Sequence, residues 1–175
     1  LMRAGIAIDG LNCVRKHLSR IKGGQLAAAA ARTMTLAISD VHGPVADDPS
    51  VIGSGPTVAD PTTFAQAMAI VDSVSDVPAT VRRYFERGVR GEVSETVKPQ
   101  DQRLSLGLYE IVGNRETAVG GAAEAARALG YSVSIVPKAI TGEARDASRA
   151  FLAAARLTSV AAGTRLCVLA AGETT

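Results

Sequence analysis

The chain has 175 residues, enough for one well-cored domain, and its net charge of +2 is too balanced to mark a nucleic-acid-binding surface. Its 47% apolar content comes mostly from Ala, Val, Leu and Ile, with 3% aromatic residues and no Trp, which suits a tightly packed α/β domain and argues against a base-stacking platform. No apolar run reaches the roughly 18–20 residues that span a bilayer, and no signal-peptide pattern opens the chain. Cys13 and Cys167 are single and far apart, so free thiols in a reducing cytoplasm are expected, with neither a disulfide framework nor a zinc site. Leu1 in place of an initiator Met, and a strand-like run that stops at the end, read as the cut ends of a longer chain.

Residues 11 to 22 carry a helical pattern. Leu11, Val14, Leu18 and Ile21 fall on one face, Asn12, Arg15, Ser19 and Lys22 on a second, with Lys16 and Arg20 further round. The basic residues are either a solvated helix face or an anion site. Gly23-Gly24 interrupts the pattern before an Ala-rich helix over 25–32, and a glycine pair opening a helix beside Lys22 offers free backbone N–H groups to an anion. The G-x-x-x-x-G-K-[ST] phosphate loop is absent.

The apolar run Met34-Thr35-Leu36-Ala37-Ile38 predicts a buried strand over 33–39 that stops in an acidic, Gly/Pro-rich loop running past Asp40, Asp47 and Asp48 to Gly53-Ser54-Gly55-Pro56-Thr57. A helix with the stripe Phe64, Ala67, Met68 and Val71 follows, with Asp60 or Thr62 as its expected N-cap, and then a shorter helix over 78–87. Residues 88–102 read as an exposed connection. A second strand over 106–112 ends in Gly113-Asn114-Arg115, and a helix over 116–129 is closed by Gly130. A third strand over 131–136, a helix from Thr141 to about Arg156 and a fourth strand over 165–170 complete the chain.

Alternating strands and helices with short links indicate parallel pairing through right-handed crossovers, hence an α/β three-layer sandwich with a mostly parallel sheet flanked by helices. In a parallel sheet the carboxyl ends of the strands share one edge, and ligands bind there. That edge collects Ser39, Asp40, Asp47 and Asp48, then Gly113-Asn114, Lys138 and Gly172-Glu173. Carboxylate oxygens beside glycine N–H groups suit Mg²⁺ and phosphate better than a soft metal. The bland alternative is that Asp40 and Glu173 merely cap helices or pair with arginines. His17 and His42 lack partners at zinc spacing, and neither a nucleophile elbow nor a G-x-G-x-x-G fingerprint is present.

Asn12-Cys13-Val14-Arg15-Lys16-His17-Leu18-Ser19 with Ile21-Lys22-Gly23-Gly24-Gln25-Leu26-Ala27 resembles a characteristic block of the glycerate 2-kinases of the MOFRL family, whose members are also labelled hydroxypyruvate reductases. Ile38-Ser39-Asp40-Val41, Asp47-Asp48-Pro49, Ile52-Gly53-Ser54-Gly55-Pro56-Thr57 and Asp60-Pro61-Thr62-Thr63 resemble a second block, and Gly113-Asn114-Arg115, Gly142-Glu143-Ala144 and Gly172-Glu173-Thr174 extend the likeness to the end. In one departure, His42-Gly43-Pro44-Val45-Ala46 lengthens the loop before Asp47. In another, Ala171 stands where the family carries the first of two glycines.

The resemblance implies Mg²⁺-dependent transfer of the γ-phosphoryl group of ATP to the 2-hydroxyl of D-glycerate. It also implies two α/β domains with the site in the cleft between them, these residues being most of the amino-terminal domain and the carboxyl-terminal MOFRL domain lying outside them. Phosphoryl transfer needs cations, a metal on carboxylates and a group that orients the attacking hydroxyl. Asp40 and Glu173 are accordingly the expected catalytic residues, and Asp40, Asp47 and Glu173 the expected metal ligands. Asn12, Arg15, Lys16, Lys22, Gly23, Gly24, Ser54, Gly55, Thr57 and Asn114 are expected around substrate and phosphate. The partners are then glycerate and ATP, with no nucleic acid and no membrane, and with a homodimer left open. An NAD(P)H-dependent hydroxypyruvate reductase and a non-catalytic anion-binding module are the competing expectations.

Overall fold

The computed structural model describes residues 1–174. In chain order its main elements are α1 (Ile8–Leu18), α2 (Gln25–Ala28), β1 (Met34–Ile38), α3 (Phe64–Asp72), α4 (Ala79–Val89), β2 (Leu108–Gly113), α5 (Arg115–Ala128), β3 (Ser132–Ile135), β4 (Ile140–Gly142), α6 (Ala144–Leu157), β5 (Leu166–Leu169) and β6 (Gly172–Thr174). Helices flank parallel strand pairs, the α/β class expected. The chain divides into two compact units, Leu1–Leu36 with Asp48–Glu110, and Ala37–Asp47 with the residues from Ile111 onward.

In the first unit α1 packs on α3 and α3 on α4. Cys13, Val14, Phe64, Ala67, Val71 and Phe85 form the core, with Phe64 edge-on to His17 at 4.7 Å and to Phe85 at 5.9 Å between ring centroids. Three of the six aromatic residues, Phe64, Tyr84 and Phe85, are thus gathered at this one core. α1 ends four residues earlier than its periodicity suggests, because the Ser19 hydroxyl accepts the Ile21 and Lys22 N–H groups at 3.2 Å each. Leu18 and Ile21 are therefore exposed, and the buried face is instead Leu11 to Val14 with Lys16 and His17.

α2 is only four residues long, shorter than the Ala-rich run implies. α3 is capped by Thr63 in a reciprocal box with Gln66, not by Asp60 or Thr62. The segment 88–102, expected to be exposed, buries Thr96 and Val97, and the Val97 N–H bonds the Gly23 carbonyl at 3.0 Å.

β1 pairs with β2, and both strands pass from one unit to the other. β1 was expected to be buried. Only Ala37 is, while Met34, Leu36 and Ile38 are 69%, 59% and 79% exposed, because the pleat puts them on one face and no described residue covers it.

In the second unit α5 packs against β3, and its Val119 and Ala123 are buried. Gly130 ends the helix at φ +79°, as its position predicts. β3 pairs parallel with β5 in the register Ser132 opposite Leu166, and β4 pairs parallel with β6 in the register Ile140 opposite Gly172. The expected four-strand sheet is thus divided among two-stranded sheets of the described residues. The three-residue strands β4 and β6 escaped the sequence reading because neither is long enough to show alternation.

Candidate functional site

In the second unit the chain leaves β1 at Ile38, and the Ser39 N–H bonds the Gly113 carbonyl at 2.8 Å. The buried Ser39 hydroxyl accepts the Val41 N–H at 3.2 Å, and the Val41 carbonyl accepts the Asp47 N–H at 3.1 Å, so the lengthened loop folds back on its own stem. Asp47 takes a left-handed φ of +58°. Its carboxylate accepts the Asn114 side-chain amide at 2.7 Å. The Ser39 hydroxyl and the Asn114 amide beside Asp47 hold its carboxyl below the usual carboxylate range.

Asn114 does two things at once. Its carbonyl oxygen caps α5 by accepting the Thr117 N–H at 3.0 Å, while its amide holds Asp47. A pocket of about 480 Å³ opens here, lined on its polar side by Ser39, Asp40, His42, Asn114, Arg115 and Thr117, with Gly172 contributing backbone. Asp40 is exposed and lines it. The paired strands β1 and β2 therefore end at one edge, as parallel topology requires, and the turn into β6 reaches the same pocket from a separate sheet.

The remaining residues expected at this edge are not gathered into the pocket. Glu173 is exposed on β6 opposite Thr141 and does not line it, although its neighbour Gly172 does. Lys138 lines a separate apolar pocket of about 240 Å³ with Ile140 and Phe151. Among the described residues no three His, Cys, Asp or Glu side chains come together as a metal cluster.

In the first unit the two glycine-rich loops are locked together. Gly23, Gly24, Gly53, Ser54 and Gly55 all have left-handed backbones, with φ between +59° and +79°. The Gly23 N–H bonds the Ser54 carbonyl at 3.1 Å, and the Gly24 N–H bonds the Gly55 carbonyl at 2.8 Å. A Cβ on Gly24 would lie 2.8 Å from the Val97 Cβ and 2.9 Å from the Val58 carbonyl, so the approach requires glycine. The N–H groups that the sequence leaves free for an anion are thus used inside the protein. The glycines serve loop packing, and with α2 so short the expected helix-terminus anion site is not formed.

Side chains in this unit are similarly committed. The Ser54 hydroxyl donates to the Asn12 side-chain oxygen at 3.2 Å, both residues being buried, and the Thr35 hydroxyl donates to that of Thr57 at 2.8 Å. Lys16 lies on neither a solvated face nor an open site. It is 5% exposed, with its ammonium 3.3 Å from Asp60. Lys22 donates to the Gly53 carbonyl at 2.7 Å, and Arg15 is exposed.

Asp60 is the residue that sequence reasoning missed. It is wholly buried and accepts from Lys16, from the Thr62 N–H at 3.1 Å and hydroxyl at 2.7 Å, and from the Thr96 hydroxyl at 2.9 Å. Burial pushes its carboxyl up, but the Thr62 and Thr96 hydrogen bonds and the Lys16 charge outweigh that and leave it lowered. The only local signal was Asp60-Pro61-Thr62, which reads equally well as a helix start. Nearby, Glu95 accepts the Phe64 N–H at 2.8 Å and sits 3.0 Å from both His17 Nε2 and Lys98 Nζ. Burial opposes ionisation of Glu95, and the Phe64 N–H, Lys98 and His17 overcome it, so its carboxyl is also lowered.

Residues 1–86 match a family described as a domain of unknown function, DUF4147. A glycerate 2-kinase of Pyrococcus horikoshii is 42% identical over 84% of this chain and 33% of its own length. A protein named putative hydroxypyruvate reductase from Agrobacterium vitis is 44% identical over 85% of this chain and 32% of its own. The crystal structure of a glycerate kinase from Thermotoga maritima matches all of this chain and 40% of its own at TM-score 0.75 and 27% identity. The chain spans about a third of the length of the curated relatives it matches. It is a homologue of the glycerate 2-kinases, related to one part of their length, in a group where the hydroxypyruvate reductase label also occurs.

Proposed function

We propose that these residues belong to an ATP-dependent kinase that phosphorylates the 2-hydroxyl of D-glycerate to 2-phosphoglycerate. The observation that carries the reading is the pocket at the end of β1 and β2, with an exposed carboxylate, Asp40, beside the amide and hydroxyl groups of Asn114 and Thr117 and the guanidinium of Arg115. In phosphoryl transfer the protein mainly positions the reactants and supplies charge. Asp40 orients the glycerate hydroxyl and accepts its proton as the bond to the γ-phosphorus forms and the bond from that phosphorus to the β–γ bridging oxygen breaks, releasing ADP. Arg115 and the second amide hydrogen of Asn114 offer donors to phosphate or carboxylate oxygens, while the Thr117 hydroxyl is spent on the Asn114 backbone carbonyl at 2.9 Å.

Mg²⁺ bound with a nucleotide needs only one or two protein carboxylates beside the phosphates, and the donor set fits that need. Asp40 is the first such carboxylate and Asp47, held by Asn114, the second, while Glu173 lies outside the pocket and is not needed for the ion. The ion would neutralise charge on the transferred group. In the first unit Lys22 and Arg15 are assigned as cationic positions for a carboxylate or phosphate. Lys16 is withdrawn from that assignment because Asp60 occupies its ammonium.

On this reading these residues are most of an amino-terminal domain, and the remaining length of the relatives holds the rest of that domain and a carboxyl-terminal one. The free thiols Cys13 and Cys167 accord with a cytoplasmic location, and no helix among the described residues is long and apolar enough to cross a membrane. In the full-length protein, Asp40→Asn should lower kcat/KM for glycerate by about 10²–10⁴-fold, the range for general-base groups. An unchanged kcat/KM removes Asp40 from the chemistry. The reductase reading is favoured by the names of two Agrobacterium vitis relatives and by no feature of the pocket. Turnover of hydroxypyruvate with NAD(P)H, and none of glycerate with ATP, would establish it instead.

A further inference from the structure

We propose that Asp60 is a positioning residue that sets the conformation of the Lys22-Gly23-Gly24 loop and thereby presents Lys22. This rests on the assignment of Lys22 above as an anion-binding group. The connection runs through named bonds. The Asp60 N–H bonds the Val97 carbonyl at 2.7 Å, and the Asp60 carboxylate accepts the hydroxyl of Thr96, the residue before Val97. The Val97 N–H then bonds the Gly23 carbonyl at 3.0 Å, and the Gly23 N–H bonds the Ser54 carbonyl at 3.1 Å. Lys22 closes the path by donating to the carbonyl of Gly53 at 2.7 Å.

Direct contact reinforces this path. A Cβ on Gly23 would come within 3.0 Å of the Thr96 methyl and 3.3 Å of the Asp60 carboxylate, so the carboxylate lies directly under the loop it organises. On its other side Asp60 holds Lys16 and, through it, α1, the helix that carries Arg15 and Asn12.

Two features distinguish this from an ordinary core contact. The loops that Asp60 supports contain the buried Ser54 at φ +62°, a conformation costly for a residue with a Cβ and one that persists only where the surroundings over-determine it. The hub also consists of a fully buried carboxylate and a nearly buried ammonium, a pair that stability alone does not favour over apolar residues of similar volume. An expensive buried pair beneath a strained loop that offers a lysine is explained by what the loop must hold in place.

The test uses the full-length protein with three forms: wild type, Asp60→Asn, and Asp60→Asn combined with Lys16→Met, in which no buried charge is left unpaired. Hydrogen exchange is followed in peptides covering 20–27, 50–58, α3 and α4. Exchange should rise at least about tenfold in 20–27 and 50–58 in both variants, with α3 and α4 unchanged in the double variant. In the same proteins KM for glycerate should rise about tenfold or more with kcat within about threefold, the pattern of lost binding without lost chemistry.

Unchanged exchange in 20–27 and 50–58, or equal loss of protection in α3 and α4 of the double variant, overturns the proposal by making Asp60 an ordinary core residue. Raised loop exchange with unaltered KM overturns the link from the loop to anion binding. A wild type inactive with glycerate and ATP refutes the function proposed above, and the exchange pattern still judges the role of Asp60.

Discussion

Gly88 lies in the last turn of α4 with an ordinary helical backbone, where replacement by alanine should stabilise a helix by up to about 1 kcal/mol. The packing reverses the sign. A Cβ there would stand 2.2 Å from Cδ1, 2.3 Å from Cγ and 2.6 Å from Cε1 of Phe64. Carbon atoms pack at about 3.5–4.0 Å, so the methyl group would intrude by more than about 1 Å. The ring has nowhere to retreat, being 2% exposed and held edge-on by His17 at 4.7 Å and by Tyr84 and Phe85 at 5.8 and 5.9 Å.

Overpacking of this kind costs about 1–3 kcal/mol, and the severity of the overlap places Gly88→Ala at the upper end. Set against the propensity gain, the net loss is about 2 kcal/mol, or roughly 4–8 °C in Tm for a domain of this size. Gly121→Ala supplies the control. It is an exposed helical position in α5 with nothing within 4 Å of the new Cβ, and should gain up to about 1 kcal/mol. Thermal unfolding of both variants in the full-length protein, followed by circular dichroism, measures the contrast. If Gly88→Ala melts at or above the wild type while Gly121→Ala melts higher, the packing argument for α3 on α4 is wrong.

Acid should destabilise the first unit in a traceable way. The carboxyls of Asp60 and Glu95 are lowered in the folded state, so the unfolded chain takes up protons at a higher pH than the folded one. Their contribution is complete above the ordinary carboxylate range and disappears as pH falls through the lowered folded values, so Tm should drop below about pH 4. Glu95→Gln should flatten that acid limb, and an unchanged slope would show that Glu95 carries none of it. In the second unit Asn114→Ala should cost about 1 kcal/mol through the lost cap of α5 and let the Asp47 carboxyl rise toward its ordinary range, whereas Asn114→Ser should restore most of the melting temperature without restoring Asp47. Melting curves and an NMR titration of Asp47 together separate the two roles of Asn114.

Much of the local architecture was written in the chain. The stripe of Phe64, Ala67 and Val71, the Ala-rich run closed by Gly130 and the short apolar runs each correspond to an element, because periodicity, capping and left-handed closure act within a few residues. The edge where Asp40 and Asn114 line one pocket was also legible, since paired parallel strands must end on the same side, whereas Gly172 comes to it from a separate sheet.

Tertiary structure alone decided which groups are already occupied. Asp60 meets partners 36 and 44 residues away, and Lys22 finds a carbonyl 31 residues away. The glycine pair 23–24, which locally resembles an open anion cradle, spends its N–H groups on Ser54 and Gly55. Burial too is settled at long range, since Met34, Leu36 and Ile38 form their strand as the sequence dictates yet lie exposed. Backbone conformation follows from neighbours in sequence, but the partner of a buried charge or a loop amide is chosen by the fold.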